Sequence, residues 1–337
     1  MAAKTSHAQQ RKQPQKRLHT AVMLLAVCNV AVLAAIGVLL IVSSFYEPPQ
    51  QPTESLVVMT PVPTQPQTTQ MPVPQGFFEH EGVFADELTA ALPQSQPPAM
   101  MQEKYKALYA QNPDFIGWIT IDGTSIDFPV YQAQDNEKYM RVNPYLEYDR
   151  RGSIFMDYRC QTGVSRAQFS ACTILYGHHL IADDSLFAEV ENYLSVAYYK
   201  THPVVRFNTL YGDYEWFVSD VFLTNVDEKD DNGNAFYYLY TKFTDDAAFA
   251  AFTDDIHERS FIRNPAVQIQ PEDKLLLLST CTYRLGEQTD ARCVLVCRLR
   301  RQNEVAVPDV SAAVQNDNPH LPQIWYDLHE NGENPWK

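Results

Sequence analysis

The stretch Lys274-Leu275-Leu276-Leu277-Leu278-Ser279-Thr280-Cys281-Thr282-Tyr283-Arg284 is where the fold reads outward. An unbroken run of leucines has no polar face to offer water, so the strand it forms needs a neighbouring strand on each side and lies in the middle of a sheet. Its end holds Cys281 at a fixed place near the sheet's rim. A cysteine after an apolar run is most often an inert buried thiol. What it can do therefore depends on the rest of the chain, beginning with Arg292, eleven positions further on.

Seven more segments read as short strands: 116–121, 125–130, 152–157, 172–176, 204–208, 214–223 and 291–299. Their β-branched and aromatic content, and turns such as Asp122-Gly123 and Tyr211-Gly212-Asp213 between them, predict a mainly β domain with added helices, closed or nearly closed into an eight-stranded barrel. One helix is expected before the first strand, where Met101, Tyr105, Leu108 and Tyr109 share a face. A second is expected on Leu186, Val190, Tyr193 and Leu194. A third and longer one lies between the last two strands before Cys281, with Thr244 as its cap, Asp245 and Asp246 in its first turn, and Phe249, Phe252 and Ile256 on its apolar face.

Upstream, residues 1–20 form a basic leader with Lys4, Arg11, Lys12, Lys16 and Arg17, and no charge falls between Ala21 and Val42. Those 22 residues would cover about 33 Å as a helix, enough for a hydrocarbon core of about 30 Å. They exceed the usual length of a cleaved signal segment. Residues 21–46 are therefore expected to be an uncleaved single-pass anchor in the cell membrane, with the N-terminus cytoplasmic and the remainder outside. Residues 47–99 hold eleven of the 22 prolines, mixed with Gln and Thr, and read as an extracellular stalk. Residues 100–301 have globular composition and suit one domain. Residues 302–337 form an acidic tail with Trp325, Tyr326 and Trp336, to which the sequence assigns no role.

The chain carries a net charge of −15, and after the leader 21 basic residues face 41 acidic ones. A nucleic-acid-binding surface has the opposite sign. Of six cysteines, Cys28 lies in the anchor and five lie beyond it, an odd number for an exported domain, which points to a reactive thiol or an intermolecular bridge. Cys293 and Cys297 share one face of a strand and read as core filler. Cys160 and Cys172 could bridge if their strands were neighbours, although plain burial is the more ordinary outcome. The spacings give no metal pattern, and no cofactor is called for.

The second chemical candidate is Tyr176-Gly177-His178-His179 at the end of another apolar strand. Adjacent residues on extended chain point in opposite directions, so the two histidines do not chelate one ion together and one is left to face a cleft. A working thiol needs an imidazole to exchange its proton and a cation or donor pair for the developing oxyanion. His178, Cys281 and Arg292 supply one of each, all at strand ends.

These elements resemble the sortases, and within them class B, the membrane-anchored cysteine transpeptidases of Gram-positive bacteria. The resemblance runs in order through Asn112–Trp118, Ile126–Tyr131, Asp135-Asn136 with Tyr139, Gly152–Arg159, Tyr176–His179, Leu278–Cys281 and Asp290–Arg292, covering about residues 100–301. It implies Cys281 as nucleophile, His178 as acid/base and Arg292 as the cation at the oxyanion. It also implies that Ser279, Thr280, Tyr176 and Asn136 line the substrate groove. Thr282 stands where some class B members carry an acid. The activity implied is cleavage of a C-terminal sorting motif in secreted proteins through a thioester on Cys281, then transfer to a peptidoglycan precursor or cross-bridge amine. Pilin polymerisation on a pilin lysine and hydrolysis by water are the alternatives, along with a binding domain that has lost the chemistry. Papain-like and caspase-like signatures are absent from the sequence.

Overall fold

A computed structural model describes residues 98–180, 186–227, 235–286 and 289–329. The leader, the anchor and the stalk up to residue 97 lie outside the described residues. Among the described residues no helix is long and apolar enough to cross a membrane.

The eight expected strands form, each within about two residues of its predicted limits: β1 (Phe115–Thr120), β2 (Asp127–Tyr131), β3 (Ile154–Met156), β4 (Cys172–Tyr176), β5 (Val204–Thr209), β6 (Glu215–Asn225), β8 (Leu275–Cys281) and β9 (Ala291–Leu299). They close in the order β1-β2-β3-β4-β8-β9-β6-β5, with β5 returning to β1. Closure removes the unpaired sheet edges that would otherwise invite association. The leucine strand β8 lies between β4 and β9, and all four leucines are fully buried. Gly117 is required where β1 meets β5, because a Cβ there would collide with the Asn208 carbonyl.

The helices differ from expectation in detail. The first begins as a 3-10 turn (Glu103–Tyr105) and continues as α1 (Lys106–Gln111), burying Tyr105 and Tyr109. The second is mostly not α-helical: Ala188–Leu194 is 3-10, followed by α2 (Val196–Thr201). Val190 and Tyr193, three apart and both buried, fit the 3-10 repeat of three residues per turn. The long helix α3 (Asp246–Arg259) buries Phe249, Phe252 and Ile256, but Asp245 rather than Thr244 caps it. The Asp245 carboxylate accepts from Ala248 N at 2.8 Å, so the helix starts one residue later than predicted.

The segment after Arg301 packs onto the domain. Glu304 accepts from both terminal nitrogens of Arg298, at 2.9 and 2.8 Å, and Arg298 is buried on β9. Without Glu304 that guanidinium would be left without its carboxylate partner in the interior. Further on, β7 (Ile262–Arg263) pairs with β10 (Val314–Gln315), a two-stranded ladder outside the barrel. Gln315 donates to the carbonyls of Leu194 and Phe261, His320 N donates to Glu258 O, and α4 (Gln323–Leu328) follows. Leu328 lies beside Gly286 in the β8–β9 loop.

Cys160, Cys172, Cys293 and Cys297 are free and buried, and burial pushes all four thiols up. Cys160 and Cys172 do not bridge: the Cys160 thiol donates to the Cys172 carbonyl at 3.5 Å and accepts from Ile174 N.

Candidate active site

Two register relations build the site. β8 and β9 run antiparallel with Cys281 directly opposite Arg292, and residues opposite each other in such a pair project on the same face. β4 and β8 run parallel with Tyr176 beside Ser279, so the chain leaving β4 carries His178 to the level of Cys281. Gly177 N donates to Ser279 O at 3.2 Å and Thr280 Oγ1 donates to Gly177 O at 2.8 Å, fastening the two strand ends together. Gly177 has no room for a side chain, since a Cβ would press into Ile154 and Phe187.

The result is a cleft open to solvent, with His178, Cys281 and Arg292 among its lining residues. Tyr176, Ser279 and Thr280 line it too, and so do Met140, Phe155 and Gly177, which the sequence reading did not assign to the site. Cys281 is half-buried, unlike the other four described cysteines.

His178 is held by Met140, whose carbonyl lies 3.0 Å from Nε2. The same nitrogen also lies 3.2 Å from Arg141 Nη1. Burial, followed by the cations Arg141 and Arg292, holds the imidazole below its ordinary value, against the Met140 carbonyl, which favours its charge. Arg292 is nearly buried and donates to Asp290 Oδ1 at 2.5 Å and to Ala291 O at 3.0 Å. Burial alone would lower its pKa; Cys281, Tyr238 and Asp290 more than offset that, and Arg292 keeps its charge.

His179 points elsewhere. Its Nδ1 is 3.5 Å from Glu191 Oε1, and its carbonyl accepts from Tyr283 Oη at 3.0 Å. Asn136 is not among the residues lining the cleft. Its amide donates to Asp157 Oδ2 at 3.0 Å and its oxygen accepts from Tyr158 N, so both ends of the side chain are engaged in the structure. Asp157 also accepts from Tyr176 Oη at 2.8 Å. Asn136 thus bears on the cleft through the placement of Tyr176.

Tyr238 is a residue the sequence reading missed. Its buried hydroxyl lies 2.7 Å from Ser279 Oγ, and burial raises it to about 12. The only signal was an aromatic run, Phe236-Tyr237-Tyr238, in a segment with no strand pattern. Glu191 was also missed. The residue after Cys281 is Thr282 rather than an acid, yet Glu191, from the 3-10 helix, accepts from Arg284 Nε at 2.9 Å, and His179 Nδ1 lies 3.5 Å from its other oxygen, with Thr282 beside it. Burial would raise this carboxyl, but these donors outweigh it and hold it below its ordinary value. One carboxylate thereby ties the residue after His178 to the residues after Cys281. Glu191→Gln is expected to cost about 1.5–3 kcal/mol in denaturant unfolding, the range for hydrogen bonds to a charged group. The cost should shrink as pH falls through the depressed carboxyl range, where Glu191 itself becomes neutral.

No protein-family model matches the chain. Two relatives do: Sortase B of Staphylococcus aureus (strain NCTC 8325 / PS 47), 33% identical over 199 residues, spanning 59% of this chain and 75% of that protein, and Sortase B of Listeria monocytogenes serovar 1/2a, 31% identical over 181 residues, spanning 54% and 68%. Among solved structures, a Staphylococcus aureus sortase B-substrate complex aligns with a TM-score of 0.52 at 31% identity, covering 61% of this chain and 88% of that one. Sortase B from Bacillus anthracis in complex with AAEK1 aligns at 0.51 and 30% identity, covering 61% and 88%. Identity above 30% over two thirds or more of both relatives, on a barrel that overlays solved sortase B structures, means that the chain belongs to the sortase B family of cysteine transpeptidases.

Proposed function

We propose that this sortase is an anchored, extracellular enzyme that cleaves a C-terminal sorting motif of secreted proteins and joins the new carboxyl end to a peptidoglycan amine. The observation that carries the reading is the register that sets Arg292 opposite Cys281 in a cleft shared with His178. Cys281 Sγ, its proton taken by His178, attacks the scissile carbonyl carbon. The oxyanion that forms is stabilised by Arg292, whose charge Asp290 holds in place. His178 returns the proton to the departing amine, the C–N bond breaks, and a thioester remains on Cys281. An acceptor amine then attacks the thioester, gives a proton to His178, and displaces Cys281 by breaking the C–S bond. Tyr176, Ser279 and Thr280 shape the groove, Ser279 being oriented by Tyr238. The apolar segment 21–46 holds the enzyme at the membrane, and the segment 47–99 spaces the barrel from it.

The test is mass spectrometry of the full chain in detergent with a panel of sorting-motif peptides, with and without an added amine. Peptide cleavage with amine-dependent product, and an acyl adduct on Cys281, are the expected results, all abolished by Cys281→Ala. Cleavage by water that no amine diverts would turn the reading to a hydrolytic cysteine protease.

A further inference from the structure

Two guanidinium groups stand beside the cleft's histidine. Arg292 is matched by Asp290, but Arg141 has no such match. Arg141 Nη1 lies 3.2 Å from His178 Nε2 and donates to the carbonyls of Met140 and Arg150, at 3.0 and 3.1 Å. Among the described residues no carboxylate pairs with it, and none lines the cleft. Arg141 is exposed and does not itself line the cleft; it borders the cleft through its contact with the ring of His178, which does.

Its position is fixed from below. Arg141 O accepts from Asp149 N at 2.9 Å at the base of a hairpin closed by the Val142–Tyr148 bridge. The backbone of Tyr139 and Met140 lies so close on Gly152, which has φ +63°, that a Cβ there would strike both carbonyls. The guanidinium is thus carried on a braced backbone, with donors left over. A planar guanidinium matches a carboxylate through two parallel hydrogen bonds, and no other ligand chemistry fits it as well apart from phosphate.

On the transpeptidase reading, on which this inference rests, the attacking amine gives its proton to His178. Anything held by Arg141 is therefore attached within a few bonds of that amine. We propose that Arg141 binds a carboxylate borne on the same carbon as the acceptor amine. The acceptor class is then an amino-acid-type amine such as diaminopimelate, rather than the N-terminus of an oligoglycine or the side chain of a pilin lysine. In both of those the amine-bearing carbon carries no carboxylate.

The experiment uses a matched pair of acceptors, Nα-acetyl-lysine and mono-Nα-acetyl-diaminopimelate, which differ by one carboxylate on the amine-bearing carbon. The full chain in detergent receives a cleavable sorting peptide, and both acceptors compete in one reaction. Because both draw on the same thioester, any effect of a substitution on its formation cancels in the product ratio. The ratio should favour diaminopimelate about tenfold or more in the wild type. It should fall toward one in Arg141→Gln and be partly kept in Arg141→Lys, which retains charge without the fork. A wild-type ratio near one, or one that Arg141→Gln leaves unchanged, overturns the assignment. If no acyl-enzyme forms with any peptide, the transpeptidase reading falls first and takes this inference with it. If the thioester forms and the ratio is flat, only the acceptor assignment is lost.

Discussion

His178→Ala should slow peptide cleavage by about 10²- to 10⁴-fold, the span that a positioned acid/base contributes, with the barrel still folded and Cys281 still present. His178 stands beyond the end of β4, and it is Thr280 and Gly177 that bond the strand ends together, so the imidazole can be lost without opening the sheet. The pH dependence supplies the sharper reading. The neutral imidazole is the form able to take the thiol proton, and burial together with Arg141 and Arg292 keeps it neutral to lower pH than a free histidine. The acid limb of kcat/KM should therefore have its midpoint below 6.5, and it should disappear in His178→Ala. The same change at His179, whose ring faces Glu191, should leave that limb in place. An acid limb that survives in His178→Ala would assign the proton to another group.

The barrel was legible in the sequence because each of its strands spans several residues of consistent pattern. β4 and β9 have the predicted limits, and β8 differs by one residue. A closed barrel leaves few arrangements for eight such strands, and that is why residues at their ends, His178, Cys281 and Arg292, were brought together correctly. Features resting on single long-range side-chain contacts were not legible. β7 and β10 have two residues each, too short to show alternation. The sequence assigned the acidic tail no role, yet Ala313 and Leu321 are buried and its Glu304 neutralises Arg298. Asn136 was placed in the groove by resemblance. Its amide is instead bound to Asp157, 21 positions away, and no local signal marks that choice. Met140, Arg141, Glu191 and Tyr238 reach the site from loops and a 3-10 turn, where periodicity says nothing about direction.

Asp157→Ala should be among the most destabilising single changes in the domain, about 3–5 kcal/mol, the cost of removing one member of a buried ion pair. The carboxylate is fully buried. Oδ1 accepts from Arg159 N and Nε, both at 2.9 Å, and Oδ2 from Arg159 Nη2 at 2.9 Å, Asn136 Nδ2 at 3.0 Å and Tyr176 Oη at 2.8 Å. Removing it strands a guanidinium, an amide and a phenol at once, and the phenol of Tyr176 is buried where water cannot replace the lost acceptor. For a domain of this size each kcal/mol moves Tm by about 2–4 °C, so a drop of roughly 6–20 °C is expected. Asp157→Asn keeps one acceptor oxygen and should fall between wild type and Ala. Burial pushes the Asp157 carboxyl up, but Arg159 and Tyr176 outweigh it and the net shift is downward from 3.8. Its stabilisation is thus complete well above pH 3.8 and is lost as pH falls through the lower folded value; the slope of stability against pH in that acid window should flatten in Asp157→Asn. Because Tyr176 lines the cleft, the variants should also raise KM for the sorting peptide more than they lower kcat. A loss below about 1 kcal/mol in Asp157→Ala would mean that the β4 end is held by the Thr280–Gly177 fastening alone, and that Asn136 and Tyr176 are placed without the carboxylate between them.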